Sequence, residues 1–306
     1  MSISTNKQQG MNMVELMVAM TIGMLITLAI TALFMGSQRS NQENEDIARM
    51  QENARFALDM MIQDLRHAGL LGNVPEPIEV NVSNAPAETA CGGGEYTFFS
   101  GGNYRILTYG NQTSAVGCFG ADVLANSSAL VVKRTDSGTV SVLDNDRVYL
   151  QTMGIGGRLE PGSTLNVDDG LNWPYMLRAY YIDINNILRR VEVTGGTPVN
   201  TALAEGIDAF HIEFGIDTTG NGSPNNFYSP AMGMVADAAI LDNAVSATIY
   251  LLVRTTRQDP NYNDGDRSYQ LGNEGLGPFD DGFHRRVFSA TTELKNLRSQ
   301  VRMRGL

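Results

Sequence analysis

The residue whose type and position point most directly to specific chemistry is Glu15, a single carboxylate at the start of a long apolar segment. From Leu16 to Met35 the chain has no charged residue, and its polar side chains are Thr21, Thr27 and Thr31. A membrane span needs about 20 mostly apolar residues. An ionised glutamate in hydrocarbon costs at least about 2–3 kcal/mol, so we expect a positive group to pair with Glu15.

The residues before Glu15 form a short polar leader that ends in glycine. Met1–Gly10 carries Lys7 as its only charge, and the apolar segment follows Gly10 instead of preceding a small-residue cleavage site. This order differs from that of a secretory signal peptide. The alternative is an ordinary N-terminal signal anchor, in which Glu15 would extend to the headgroup region at the cytoplasmic edge.

The order Gly10, apolar Met11, three further residues, Glu15-Leu16 and an apolar run resembles the class III signal of type IV prepilins. That family usually has phenylalanine where this chain has Met11. The resemblance implies cleavage between Gly10 and Met11 by a prepilin peptidase and N-methylation of Met11. It also implies that Glu15 pairs with the N-terminal amine of a neighbouring subunit in a fibre, which would supply the opposite charge.

A second pattern predicts that the apolar helix continues into an amphipathic half. Apolar residues recur at spacings of three and four, which mark one helix face: Ile47, Met50, Ala54, Ala57, Leu58, Met61, Leu65 and Ala68. No proline occurs from Met11 to Leu71, and Gly69, Gly72 and Pro75 supply the stop. We therefore predict one long helix, with a transmembrane or fibre-core half over residues 11–36 and an amphipathic half over residues 37–72.

For the remainder, residues 73–306, we predict a periplasmic β-rich head domain. No helix of comparable length recurs between its strands, which argues against parallel βαβ units. We predict an α+β, type IV pilin-like fold in which the long N-terminal helix packs on a mostly antiparallel sheet or sandwich. The predicted strands are Tyr96–Phe99, Arg105–Tyr109, Ala129–Arg134, Thr139–Leu143, Arg147–Gln151, Ala179–Asp183, Ile187–Val193, Ala209–Ile216, Val245–Thr255 and Arg286–Leu294.

Two further segments resemble one branch of the pilin superfamily. Ala54–Gly69 is similar to the helix end of W-type minor pilins. Leu251–Arg254, the Gly/Asp-rich loop after it and Arg285–Leu297 are together similar to the closing segment shared by W-type minor pilins and J-type pseudopilins. The resemblance implies a minor pilin that is stored in the inner membrane and then incorporated into type IV pili, in a priming or tip complex. The alternatives are a J-type pseudopilin of type II secretion and a signal-anchored periplasmic binding protein or enzyme.

The same resemblance implies three classes of partner, which are other minor and major pilins, the prepilin peptidase and an inner-membrane assembly platform. The 306 residues carry a formal net charge of -11, and this acidic balance argues against nucleic-acid binding. Cys91 and Cys118 are the two cysteines. An even count in an exported chain predicts a disulfide between them, with free thiols as the alternative.

Little in the sequence favours catalysis, so we expect a chain that is not an enzyme and needs no cofactor. The three histidines lie in separate contexts, and no recognised nucleophile, zinc or phosphate-loop motif is present. His67 is predicted in the last turn of the helix, where the helix dipole favours it. His211 lies at the outward phase of an alternating strand, which predicts a surface position.

One loop partly matches the start of a calcium-binding loop. Asp217 and Asn221 lie at positions one and five, but Thr219 occupies position three and Tyr228 stands where a bidentate glutamate is needed. We favour a Gly/Asn turn, with calcium at Asp217 and Asn221 as the weaker alternative. The acidic loop over residues 259–282 would either add oxygen ligands or be solvated, and its length suggests a binding or interface loop.

Overall fold

In the computed structural model, the chain divides into two compact units, Met1–Ala48 and Arg49–Leu306. The structure describes residues 12–72, 99–100, 103–104, 107–111, 119, 122–125, 127–154, 156–195, 197–230 and 236–297. Gly10, Met11, Cys91 and Cys118 lie outside these ranges, as does most of the predicted strand Tyr96–Phe99. The predictions on them, and the predicted domain boundaries, stay predictions.

The first unit contains the beginning of helix α1, which spans Met13–His67. Its large apolar side chains from Met13 to Met35 are all exposed. The threonine hydroxyls donate to carbonyls of the preceding turn, Thr21 to Val18, Thr27 to Gly23 and Thr31 to Thr27, over 2.8–2.9 Å. Each hydroxyl therefore has an internal acceptor, so threonine is inexpensive in an apolar environment.

The second unit begins with the rest of α1, whose apolar face is buried as the spacing predicts. The buried apolar residues of the helix are Met50, Ala54, Ala57, Leu58, Met61 and Leu65, whereas Ile47 is half-buried. The helix ends at His67, earlier than predicted, and the Nδ1 of this residue lies 2.7 Å from the Gln63 carbonyl oxygen. His67 therefore lies in the last turn, as predicted.

The chain leaves the helix through a tight contact with a tryptophan. Gly72 has a φ of +59°. A Cβ there would lie 2.8 Å from the indole Nε1 of Trp173. The indole N–H donates to the Thr152 hydroxyl over 3.1 Å. Only glycine combines this left-handed backbone with so close an approach, which explains the residue at this turn.

The larger sheet has seven antiparallel strands arranged around one long central strand. Strand β7 pairs with β4 on one edge and with β8 and β5 along the other; β3 extends the sheet from β4, β6 from β5 and β9 from β8. The strands are β3 (Leu107–Asn111), β4 (Ser128–Thr135), β5 (Val148–Met153), β6 (Gly156–Pro161), β7 (Leu171–Ile182), β8 (Ile187–Val193) and β9 (Val199–Glu205). A short pair precedes them, β1 (Phe99–Ser100) with β2 (Asn103–Tyr104).

The smaller sheet has four antiparallel strands in the order β11-β10-β12-β15. Its strands are β10 (Ile207–Ile216), β11 (Asn226–Tyr228), β12 (Ala244–Arg254) and β15 (Arg285–Glu293), and a short helix α2 (Ala238–Leu241) precedes β12. A separate hairpin, β13 (Tyr269–Leu271) with β14 (Glu274–Leu276), covers part of one face. The long helix and antiparallel sheets confirm the predicted α+β class.

One predicted strand is wrong and several short strands were not predicted. Residues 139–143 form only an isolated bridge from Val140 to Asn172, and Val142 is 80% exposed. Because this segment has no second strand partner among the described residues, its apolar character does not build a ladder. Strands β11, β13 and β14 have three residues each, β9 is mostly exposed and β6 is mostly half-buried, so none of them has the alternating apolar pattern that identifies a strand. The prediction also missed the part of β7 before Ala179.

Candidate assembly site

Glu15 lies in the first turn of α1 and is exposed. The backbone N–H of Asn12 donates to its Oε2 over 3.1 Å, and the Asn12 carbonyl accepts from Leu16 N–H over 3.2 Å. This is one half of a capping box, in which the third helical residue binds the backbone before the helix. The partial positive charge of a helix N-terminus favours a carboxylate at this position.

The surface that follows Glu15 is apolar and uncovered. Within the part of the chain that the structure describes, α1 is long and apolar enough to cross a membrane. Positions Gly23 and Gly36 have no atom within 4 Å of an added Cβ, so their sides of the helix are open. An apolar helix of this kind requires either lipid or other apolar helices around it.

An acidic residue that the sequence analysis overlooked fixes the second half of α1 to the larger sheet. Asp64 is 1% exposed. Its Oδ1 lies 2.7 Å from Arg178 Nη1 and 3.5 Å from Arg134 Nε, and its Oδ2 accepts from the Tyr180 hydroxyl. Glu192 binds the Nε of Arg178 over 2.7 Å. Burial raises the pKa of Tyr180 and the negative charge of Asp64 raises it further, so the phenol stays protonated and donates.

The signal for this cluster was present in the helix periodicity. Asp64 falls on the buried face, between Met61 and Ala68 at spacings of three and four. A carboxylate on a buried face must have partners because an isolated buried charge is very costly. Arginines on two different strands supply them, and their meeting at Asp64 depends on the sheet order.

His211 is buried, so the predicted surface position is wrong. Its Nδ1 lies 3.0 Å from the Tyr109 hydroxyl, and its Nε2 contacts the Ser229 hydroxyl and lies 3.0 Å from Asn273 Oδ1. The alternation in β10 is real, but its second face is covered by the β13–β14 hairpin. Burial lowers the pKa of His211, which favours the neutral ring.

The acidic loop after β12 is attached to strands β15 and β10 by one buried arginine, Arg285 of β15. Arg285 bonds Asp208 over 2.6 Å, Asp264 over 3.1 Å and Asp281 over 2.7 Å, and its guanidinium lies 3.9 Å from the centre of the Phe279 ring. Two of the loop's acids therefore neutralise a buried cation. Of the two alternatives for this loop, the purely solvated one is wrong at Asp264, which is fully buried.

In the loop that partly matches a calcium site, the side-chain oxygens bind the loop's own donors. Asp217 accepts from the backbone N–H groups of Thr219 over 3.0 Å and Gly220 over 2.8 Å, and also from Gly222. Asn221 Oδ1 accepts from Ser223 N–H over 2.8 Å. These contacts are those of the favoured Gly/Asn turn. Among the described residues no group of three or more metal-binding side chains is assembled.

No curated protein matches the chain. Among solved structures, a type IV-like pilin from Thermus thermophilus aligns over 81% of this chain and 97% of its own length, with 10% identity and a TM-score of 0.40. Residues 174–296 match the family model described as Type IV Pilus-assembly protein W, which confirms the predicted resemblance to W-type minor pilins from β7 to the end of β15.

Proposed function

We propose that this chain is a minor pilin of the W type, cleaved between Gly10 and Met11, N-methylated at Met11 and incorporated into type IV pili. The observation that carries the proposal is the family match over residues 174–296. It supports a role in pilus assembly, and thus a structural subunit instead of an enzyme. The leader pattern and the exposed apolar helix are the further features that such a subunit needs.

In this function, Glu15 aligns each new subunit with its neighbour. Before assembly, the apolar part of α1 stays in the inner membrane with the head domain in the periplasm. The carboxylate is then at the end of the helix, where a neighbouring N-terminal amine can approach it. In an apolar surrounding the attraction between the two charges is strong, and either charge left alone would be costly.

Burial of the apolar helix surface among other pilin helices supplies the second driving force. The role that we assign within the fibre is a priming or tip complex with other minor pilins. The prepilin peptidase and the inner-membrane assembly platform are the partners before assembly. No cofactor enters this function, and the acidic net charge argues against nucleic acid as a partner.

The test compares Glu15→Ala with Glu43→Ala, an exposed glutamate on the same helix. Sheared surface fibres are analysed by mass spectrometry for this chain and its N-terminal peptide. We expect wild type and Glu43→Ala in the fibre fraction with a peptide that begins at methylated Met11, and Glu15→Ala retained in the membrane. Substitution of Gly10 by leucine should leave the leader attached.

Three results would contradict the proposal. In the first, the wild-type chain is found in membranes only and still carries Met1–Gly10. In the second, Glu15→Ala enters fibres at the wild-type level. In the third, deletion of the gene for this chain leaves pili normal but impairs protein secretion. The first would favour a signal anchor, and the last a J-type pseudopilin.

A further inference from the structure

Strand β9 leaves an open edge on the larger sheet. Among the described residues, β9 (Val199–Glu205) pairs with β8 and with no other strand. Its first four residues are exposed, and Val199 is 61% exposed. A strand edge of this kind offers a row of backbone donors and acceptors to another polypeptide.

This edge lacks the features with which proteins usually block strand addition. From Val199 to Ala204 it contains no charged residue and no proline. By contrast, β6 has Arg158 and Glu160 within it and ends in Pro161, and β15 begins with two arginines, whereas Pro198 and Glu205 stand only at the two ends of β9. The composition of β9 between Pro198 and Glu205 therefore permits an added strand.

The strand next to β9 carries an arginine whose charge is incompletely compensated. Arg190 lies directly opposite Thr201, and its side chain is 17% exposed. Within the described ranges, its contact with a carboxylate is a distant one, 3.9 Å to Glu192, and Glu192 already binds Arg178 over 2.7 Å. Among the residues that the structure describes, the buried Nε of Arg190 has no hydrogen-bond partner. On the helix-facing side of the sheet, beside the open edge, the Arg190 guanidinium can therefore bind a further carboxylate.

We propose that the outer edge of β9 receives an extended strand of a neighbouring pilus subunit, with an acidic side chain opposite Thr201 that pairs with Arg190. The proposal rests on the proposed function, because the partner is another subunit of the same fibre. It adds the surface that is used and the chemistry of the partner segment.

The geometry of a sheet permits this pairing. Neighbouring strands lie about 4.8 Å apart, and residues directly opposite one another project to the same face. An acidic residue opposite Thr201 would have its backbone about 10 Å from that of Arg190. The arginine and glutamate side chains together span this distance, and the small Thr201 side chain lies between them.

The first experiment locates the partner by photo-crosslinking of the full-length chain in cells. A benzoylphenylalanine is placed at Val199, and a control at Val142, which is exposed but lies outside β9. We expect a product with another pilin at Val199 only, mapped by mass spectrometry to an extended segment with an acidic residue. Products with this chain alone, with a protein that is not a pilin, or at equal yield from Val142 would overturn the proposal.

The second experiment tests the edge with Thr201→Pro and Ala202→Pro. Successive N–H groups of a strand point to opposite edges, so one proline removes an outward donor and the other disturbs the pairing with β8. We expect one variant to keep the wild-type Tm of the full chain in detergent and to lose at least tenfold in crosslink yield. If the variant with wild-type Tm crosslinks normally, the proposal is wrong.

The third experiment tests the charge and remains decisive if both prolines lower the Tm. Arg190→Glu should reduce the crosslink yield about tenfold, Arg190→Lys should retain most of it, and Arg286→Glu, a reversal at an exposed arginine of β15, should leave it unchanged. Equal yields for Arg190→Glu and wild type would overturn the proposal. If the yields are equal and the wild-type chain is present in fibres, the strand-addition proposal fails but the proposed function stands. If the wild-type chain is absent from fibres, the proposed function itself is contradicted.

Discussion

Single polar residues in the second unit are held in apolar surroundings by several partners each. Asp64, His211 and Arg285 each contact three or more polar groups from different elements. Because a buried charge or ring nitrogen loses its water on folding, the geometry of each cluster is strictly determined by its protein partners. These residues therefore give the sharpest tests of the structure.

Asp64→Ala should lower the free energy of unfolding by about 3–5 kcal/mol, because it leaves Arg178 and Arg134 without their shared carboxylate. Asp59→Ala is the matched control, since Asp59 is exposed on the same helix, and it should change stability by less than about 0.5 kcal/mol. Denaturant unfolding of the full chain in detergent measures both. Equal stabilities would show that the cluster does not hold the helix.

His211 predicts a loss of stability on mild acidification. Its folded pKa lies below the unfolded value of about 6.5, so the unfolded state binds more protons below that pH. Stability is fully present above about pH 6.5 and is lost as the pH falls towards the folded pKa, by at most about 1.4 kcal/mol per pH unit.

The measurement is Tm as a function of pH between 7.5 and 5. The carboxyl group of Asp281, whose pKa is lowered by Arg285, loses its contribution only below about pH 4, outside this window. In His211→Gln this part of the pH dependence should flatten. A variant as pH-dependent as wild type would assign the effect to another group.

At the scale of elements, the acidic loop after β12 is held by Arg285 from the last strand. Arg285→Met leaves Asp208 and Asp264 buried without their main cation and should destabilise by about 3–5 kcal/mol. Limited proteolysis should then cut within residues 255–284 faster than in wild type. Arg286→Met, at the next and exposed position of β15, should keep the wild-type cleavage pattern.

The sequence predicts an element well where its large apolar side chains lie on one face. The stripe of α1 and the alternation of Phe210, Ile212 and Phe214 in β10 are both observed, because a single apolar face leaves a clear period. The predicted strands Ala179–Asp183 and Ile187–Val193 are likewise observed within β7 and β8, which pair with each other, and Asn186 between them has a left-handed conformation. These signals are local and need no knowledge of distant neighbours.

The same reasoning fails where burial comes from distant parts of the chain. His211 is covered by the β13–β14 hairpin, which lies more than fifty residues later in the sequence. Asn273 in the turn of this hairpin contacts the His211 ring. The partners of Asp64 come from β4 and β7, so the sheet order had to be known first. The open edge of β9 has no periodic pattern at all because most of its side chains are exposed.

At the scale of the whole molecule, the predicted pair Cys91 and Cys118 would restrict the unfolded chain. Closure of a loop of this length should stabilise by about 3–4 kcal/mol. We expect alkylation of the unreduced, denatured chain to label neither cysteine, and Cys91→Ser with Cys118→Ser to lower the Tm. Full labelling without reduction would establish free thiols instead.

The contact between Gly72 and Trp173 gives the molecule an internal optical reporter. Trp173 is the one tryptophan of the chain, and its indole lies against the turn that leaves α1 while its N–H binds Thr152 of the larger sheet. Emission from this indole therefore reports on a single place, the joint between helix end and sheet. Separation of that joint would expose the indole to water and shift its fluorescence to longer wavelength, so docking of the helix can be followed without any attached label.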